Sequence, residues 1–311
     1  MTALFFGLSN GIASGLTDQL FERRFFYDRS LAIIIIGKAL MSFIVFVVLI
    51  SFVRAAAYRY LQENFIEAGN VAETEKPWEH FFQLLLLFNI ITGLIISFIN
   101  QVNKKYGPGI LIPLMMGKYR KPKEEDRIFL FMDLKSSTSI AEALGHLKYS
   151  AFIRDSFMDI NSVLSTYNAQ VYQYVGDEIV ITWPIWKGVL PLYCIQFFFA
   201  CEAKFNDRSK HYLNQYGQVP QFKAGLHMGK VTAVEVGDIK RDIAYHGDTL
   251  NTAARIQSIC NEHNKYFLAS KHVLENSEVE KYYHTESLGM IALKGKKQPI
   301  EIASITGIKT P

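Results

Sequence analysis

Residues 127–138, RIFLFMDLKSST, decide the fold. From Arg127 to Asp133 the residues are apolar between two charged ends, the pattern of a buried strand. Asp133 closes it, and Ser136, Ser137 and Thr138 follow where a helix would begin. Taken alone, Asp and Ser at that point read as caps for the free amides of a first helical turn. Residues 136–166 continue as helix, interrupted at Gly145. Val171–Tyr174 and Glu178–Trp183 read as two strands joined tightly at Gly176-Asp177. Further on, 189–213 reads as one helix. Lys223–His227 and Val231–Val236 read as a hairpin turning at Met228-Gly229-Lys230. Asp248–Cys260 reads as a helix, with short strands near 265–269, 282–294 and 299–305. The order βαββαβ predicts an α+β domain, one sheet covered by helices.

That order has a chemical consequence. In a βαββ unit the end of the first strand lies beside the following hairpin, so Asp133 and the turn residue Asp177 meet. Two unpaired carboxylates repel, and one would hold its proton. A hard divalent cation removes the conflict. Carboxylate and carbonyl oxygens suit Mg²⁺ or Mn²⁺, which also bind substrate phosphates. The amides of Lys135 to Thr138 face the same place and attract phosphate. In YHGDTLNTAAR, Asn251 and Arg255 are four apart and share one helix face. Taken alone, they read as a solvated polar stripe; beside a phosphate, the arginine fork suits developing charge on phosphorus. Lys294 and Lys296, in LKGKK, read as a basic surface turn or as point charges for terminal phosphates.

The first hundred residues are of another kind. Phe81 to Ile99 is a run of 19 residues without a charge, about long enough to cross a bilayer core. Leu31 to Val53 is a second run, broken by Lys38, which can snorkel to the nearer interface. These predict membrane helices over about 31–53 and 80–100. A shorter stretch, about 3–17, reads as a third span, a truncated span or an amphipathic lead-in; no basic n-region marks it as a cleaved signal. Arg23, Arg24 and Arg29 precede the first strong run. Lys104, Lys105, Lys118, Arg120, Lys121 and Lys123 follow the second. The connector at about 57–79 is acidic on balance. Basic flanks face the cytoplasm, so everything after residue 100 is expected inside: a multi-pass protein of the cell (inner) membrane. Residues 101–123 form a juxtamembrane linker broken at Gly107-Pro108-Gly109, and 124–311 the cytoplasmic domain.

Composition excludes several classes. Of 311 residues, 50% are hydrophobic and 20% charged, which rules out a disordered polar chain. A net charge of +4 does not call for a nucleic-acid partner. Three cysteines without a CxxC pair give neither a disulfide framework nor a thiolate zinc site. Two or three spans with one lysine are few for a transporter or channel.

The stretches FMDLKSST, YVGDEIV, AGLHMGKV, YHGDTLNTAAR and LKGK, in that order over roughly 125–305, resemble the catalytic domain of class III nucleotidyl (adenylyl/guanylyl) cyclases. The resemblance implies a palm-like, ferredoxin-type α+β domain acting as a head-to-tail homodimer on a nucleoside triphosphate. It implies that Asp133 and Asp177, with Leu134 in the metal set, hold two Mg²⁺ or Mn²⁺ ions. It implies that Ser136, Ser137, Thr138, Lys294 and Lys296 bind phosphates, and that Asn251 and Arg255 reach the substrate from the other protomer. The anchor also looks like those of bacterial members. Adenylyl members place a lysine where this chain has Gln173, and Asp or Thr where it has Ala244. The side-chain logic for ATP is therefore absent, as is the glutamate-based logic for GTP; ATP stands as the default because it is the family's commonest substrate. A catalytically silent membrane dimer is the alternative. A diguanylate-cyclase-like reading of VGDEI is weaker, since the first glycine of that motif is Val175.

Overall fold

Leu31–Asn64 and Glu75–Tyr106 form two long helices, α1 and α2. The computed structural model describes residues 7–8, 11–12, 15–17, 20, 31–64, 75–106, 111–185, 192–239, 241–275 and 278–309. Arg23, Arg24, Arg29, much of the 57–79 connector and the Gly107-Pro108-Gly109 break lie outside the described residues, as does most of the 3–17 stretch. The chain divides into two units, Met1–Phe98 and Ile99–Pro311.

In the first unit Phe46 and Ile50 of α1 are buried against Leu85 and Leu86 of α2. Other large apolar side chains face outward, among them Phe43, Val48, Phe52, Leu84, Phe88 and Phe98. Among the described residues, Gln83–Asn100 is the stretch long and apolar enough to cross a membrane, by length and composition. Leu40–Ala56 of α1 is apolar but shorter among the described residues.

The second unit opens with the short helix α3 (Leu111–Met115) and the central strand β1 (Lys123–Leu134). Helices α4 (Ser137–Leu144) and α5 (His146–Val163) follow, with Gly145 at φ 72° between them. Strands β2 (Gln170–Val175) and β3 (Glu178–Pro184) form the expected hairpin. Then come α6 (Tyr193–Asp207), α7 (Ser209–Tyr216), β4 (Phe222–Val236), β5 (Asp242–His246) and α8 (Asp248–Ser258). β6 (Phe267–Ser270), α9 (Lys271–Glu275), α10 (Val279–Tyr282), β7 (Tyr283–Ile291) and β8 (Ile300–Ile308) complete the described elements.

The sheet runs β2-β3-β1-β4-β6-β8-β7, with β5 on β4. β1 is antiparallel to both neighbours. Alternation sorts its side chains. Ile128, Leu130 and Met132 enter a large core with Phe152, Phe197 and Cys201. Phe129 and Phe131 enter a smaller core on the other face with Val180, Tyr245 and Ala253. Burying each such side chain contributes about 1.5–3 kcal/mol.

Two expectations are corrected. Residues 222–236 are one continuous strand, not a hairpin; the hairpin partner of β4 is β5. Gly229 pairs with Arg127 inside the sheet. A methyl group there would lie 2.7 Å from Thr249 Oγ1, and one at Gly225 would lie 2.3 Å from the Gln257 backbone nitrogen. These glycines admit α8 onto the sheet rather than turning the chain. The helix expected over 189–213 is two, α6 and α7, broken at Arg208 (φ −99°, ψ 12°). Its guanidinium lies 2.6 Å from the Asp159 carboxylate on α5.

Candidate active site

Asp133 ends a row of side chains, Glu125, Arg127, Phe129, Phe131 and Asp133, on one face of β1. At the end of that row its register partners are Glu178 on β3 and Lys223 on β4. Asp133 Oδ2 lies 3.4 Å from Lys223 Nζ and accepts a 3.2 Å hydrogen bond from Gln257 Nε2 of α8. Burial pushes the Asp133 carboxyl up, and the neighbouring charge of Asp177 pushes it further; Lys223 and Gln257 act against both. Glu178 is pushed up to about 7 by burial and by the charges of Asp133 and Asp177. Asp133, Asp177 and Glu178 thus act on one another's charge at this end of the sheet, where Asp133 is in register with Glu178, the residue after Asp177. Tyr149 of α5 belongs to the same neighbourhood: burial, then Asp177, raises its phenol, which also bonds Ser137. Among the described residues no three acidic, His or Cys side chains are grouped to hold a metal. Asp133 and Asp177 are the anionic groups on which a cation at this strand end could draw, with main-chain oxygens to add to them.

The backbone beside Asp133 is shaped for an anion only in part. The Leu134 side chain is buried in the core, so its main chain alone is available. The Lys135 N–H donates to the Gln221 carbonyl at 2.8 Å; it is not one of the free amides expected. Ser136 caps α4 from the left-handed region, φ 57° and ψ 31°, with no side-chain cap bond. The Ser137 and Thr138 amides lie in the first turn, where a helix leaves N–H groups unmatched.

Helix α8 faces two ways. Gln257, buried, reaches Asp133. Arg255 stands two residues back, about 200° around the helix, and packs beside Gly295, where a methyl group would lie 3.3 Å from its Nη2. Gly295 (φ 73°) turns the Lys294–Lys296 loop, and Lys296 pairs with Asp248. Asn251 is exposed. Arg255 and the lysine loop are thus brought together, as are Asp133, Asp177 and the start of α4. Among the described residues no hydrogen bond or ion pair joins the Asn251/Arg255 set to the aspartates. The nearby His227 bonds Ser270 at 2.7 Å; burial, then the Lys296 charge, lowers its imidazole to about 4.

The family model of the adenylate and guanylate cyclase catalytic domain matches residues 120–305. The chain belongs to that family. "Adenylate cyclase 2" of Rhizobium meliloti (strain 1021) is 34% identical over 222 residues, 71% of this chain and 61% of that protein. The chain thus spans about three fifths of that relative's length. Two solved structures share the fold. A bacterial light-regulated adenylyl cyclase has a TM-score of 0.58 at 17% identity, covering 71% of this chain and 65% of that one. The adenylyl cyclase CyaB of P. aeruginosa has 0.53 at 16%, covering 60% and 96%.

In this cyclase domain the two positions with altered residues sit on different strands. Gln173 is exposed on β2 and Ala244 half-buried on β5. The β2–β3 register shifts between Val171 and Gln173. This bulge leaves Tyr172 as an extra residue, so Tyr172 and Gln173 lie consecutively toward the Asp133 face. Ala244 pairs with Val234, and alternation turns it away from the face bearing Tyr245. Sequence reading missed Glu178, Lys223, Gln257 and Tyr149. Glu178 had a signal, since it follows Asp177 directly; the others come from elements whose approach only the fold reveals.

Proposed function

We propose that this chain is a membrane-anchored nucleotide cyclase. It converts a nucleoside triphosphate, ATP by default, to the 3′,5′-cyclic monophosphate and pyrophosphate, for intracellular signalling. The observation that carries this reading is the register that sets Asp133 beside Glu178, the residue after Asp177, at the end of β1 that leads into α4. The donor chemistry fits Mg²⁺ or Mn²⁺: hard carboxylates, with the Leu134 carbonyl and substrate phosphates to complete the shell. Two such ions, when bound, supply Lewis acidity toward the ribose 3′-hydroxyl and the leaving phosphates. Asp133 and Asp177 hold that charge in place. Lys223 and Gln257 orient Asp133. The Ser137 and Thr138 amides, with Ser136, receive phosphate oxygens.

Arg255 offsets charge developing on the α-phosphoryl oxygens, Asn251 orients the sugar, and Lys294 and Lys296 steady the terminal phosphates. The two faces of α8 support a shared site. One chain's Gln257 serves its own Asp133, while its Asn251 and Arg255 serve the other chain of a head-to-tail homodimer. The name of the Rhizobium relative favours ATP. Outward apolar side chains on α1 and α2 suit a lipid bilayer, with residues 124–311 on the cytoplasmic side.

Purified full-length protein, assayed with Mn²⁺ and each of the four nucleoside triphosphates, tests the reading. A cyclic product that Asp133→Ala abolishes is expected. No cyclic product from any of them would leave the catalytically silent dimer, to which the altered residues 173 and 244 point.

A further inference from the structure

Arg127 is 5% exposed, a buried cation on β1 six residues before Asp133. Its Nε lies 3.0 Å from Glu125 Oε2. Its Nη1 donates to Gln170 Oε1 at 3.2 Å and Thr182 Oγ1 at 3.4 Å. The guanidinium carbon stands 4.6 Å over the ring of Tyr245. Phe129, Tyr172 and Tyr245 pack edge to face, with centroids 5.1 to 6.2 Å apart. The Tyr172 hydroxyl accepts the Tyr245 N–H at 3.3 Å.

Tyr172 directly precedes Gln173, and Tyr245 directly follows Ala244. Among the described residues β5 is paired on β4 alone, with no strand on its other edge. The Tyr172 hydroxyl occupies that edge and ties β5 across the face to β2. The lead-in to the domain braces the same cluster. Tyr119, buried, donates to Glu125 Oε1 at 3.2 Å, Lys118 Nζ lies 2.7 Å from the same oxygen, and the Tyr119 carbonyl accepts the Glu235 N–H at 2.8 Å.

We propose that Tyr172, braced by Arg127, is a positioning residue for base selection: its tie to the Tyr245 amide fixes the bulge that carries Gln173 on the same face, and so where the Gln173 amide meets the purine. The proposal rests on the nucleotide-cyclase reading above. Neither Gln173 nor Ala244 imposes a choice of purine by its own side chain. Gln173 can donate or accept, and Ala244 can do neither. Selection then falls to where the backbone and the glutamine amide are held. Tyr172, the residue before Gln173, holds that glutamine through the Tyr245 amide.

The test uses the full chain with Mn²⁺. Steady-state kcat and KM for ATP and GTP are measured for wild type, Tyr172→Phe and Arg127→Lys, beside affinities for ribose-labelled fluorescent ATP and GTP. Tyr172→Phe removes one oxygen. It is expected to change the ATP-to-GTP ratio of kcat/KM about fivefold, the worth of one net hydrogen bond, with the change mainly in KM. Arg127→Lys keeps the charge but loses the fork and the ring contact, and is expected to move the ratio the same way. A Tyr172→Phe ratio within twofold of wild type overturns the proposal, even if the thermal midpoint falls, because the tyrosine would then be only structural. If Arg127→Lys fails to fold, Tyr172→Phe decides alone. If wild type makes no cyclic nucleotide, the cyclase reading fails, and the ratio of the two fluorescent affinities decides whether Tyr172 governs base choice.

Discussion

Lys223 Nζ lies 3.4 Å from Asp133 Oδ2, on the adjacent strand and in direct register. The site therefore carries its own cation. That charge favours the ionised form of Asp133, against burial and Asp177, which favour the protonated form. Lys223→Met removes it and raises the Asp133 carboxyl further. Activity is lost as pH falls and Asp133 takes up a proton, so the acid limb of kcat/KM against pH moves to higher pH in the variant. An acid limb identical to wild type would show that Lys223 does not support the carboxylate.

Glu178, raised to about 7, gives metal binding a proton signature. Near pH 7 a substantial fraction of the Glu178 carboxyls is protonated. Divalent charge beside it favours the ionised form, so a proton leaves as the metal binds. Calorimetric titration of Mn²⁺ in two buffers of different ionisation enthalpy is expected to show proton release near pH 7 that fades above pH 8.5. Glu178→Gln is expected to abolish it. Release that persists in the variant would assign the proton to another group.

The opposed faces of α8 make a complementation experiment decisive for the shared site. Asp133→Ala and Arg255→Ala are each expected to be nearly inactive, the second by about 10³-fold by comparison with other phosphoryl-transfer arginines. Co-expressed, the two chains form mixed dimers with one intact site, so about a quarter of wild-type activity is expected from random pairing. No recovery in a verified mixed dimer would mean that each chain builds its site alone.

Much of this arrangement was legible in the chain. β1, the β2–β3 turn and α8 each combine a clear period with a polar residue at the end, and each lies where expected. β4 was not legible, because Met228-Gly229-Lys230 has the composition of a turn while the glycine serves Thr249 on a helix twenty residues away. Gln257 and Asp133 are 124 residues apart, and no local pattern joins them. Arg208 breaks a helix that periodicity would continue, and its partner Asp159 lies on another element. What escaped the sequence was tertiary: side chains chosen for a distant neighbour rather than for their own segment.

Gly225 offers the sharpest stability test. An added methyl group would meet backbone atoms of α8 at 2.3 to 2.7 Å, which cannot yield as a flexible side chain would. Gly225→Ala is expected to destabilise the domain by about 1–3 kcal/mol or more, read as a lower midpoint of unfolding. Gly229→Ala meets a threonine side chain instead and is expected to cost less. Equal midpoints for wild type and Gly225→Ala would mean that α8 can lift off the sheet freely.

That close seat of helix on strand reaches beyond a single chain. Close packing of this kind favours movement of α8 together with β4. In the head-to-tail pair proposed above, the rod that steadies one chamber's Asp133 would also extend the arginine into the other. Filling either chamber would tug on its twin, and the two would respond to rising nucleotide as a coupled unit, not as independent vessels.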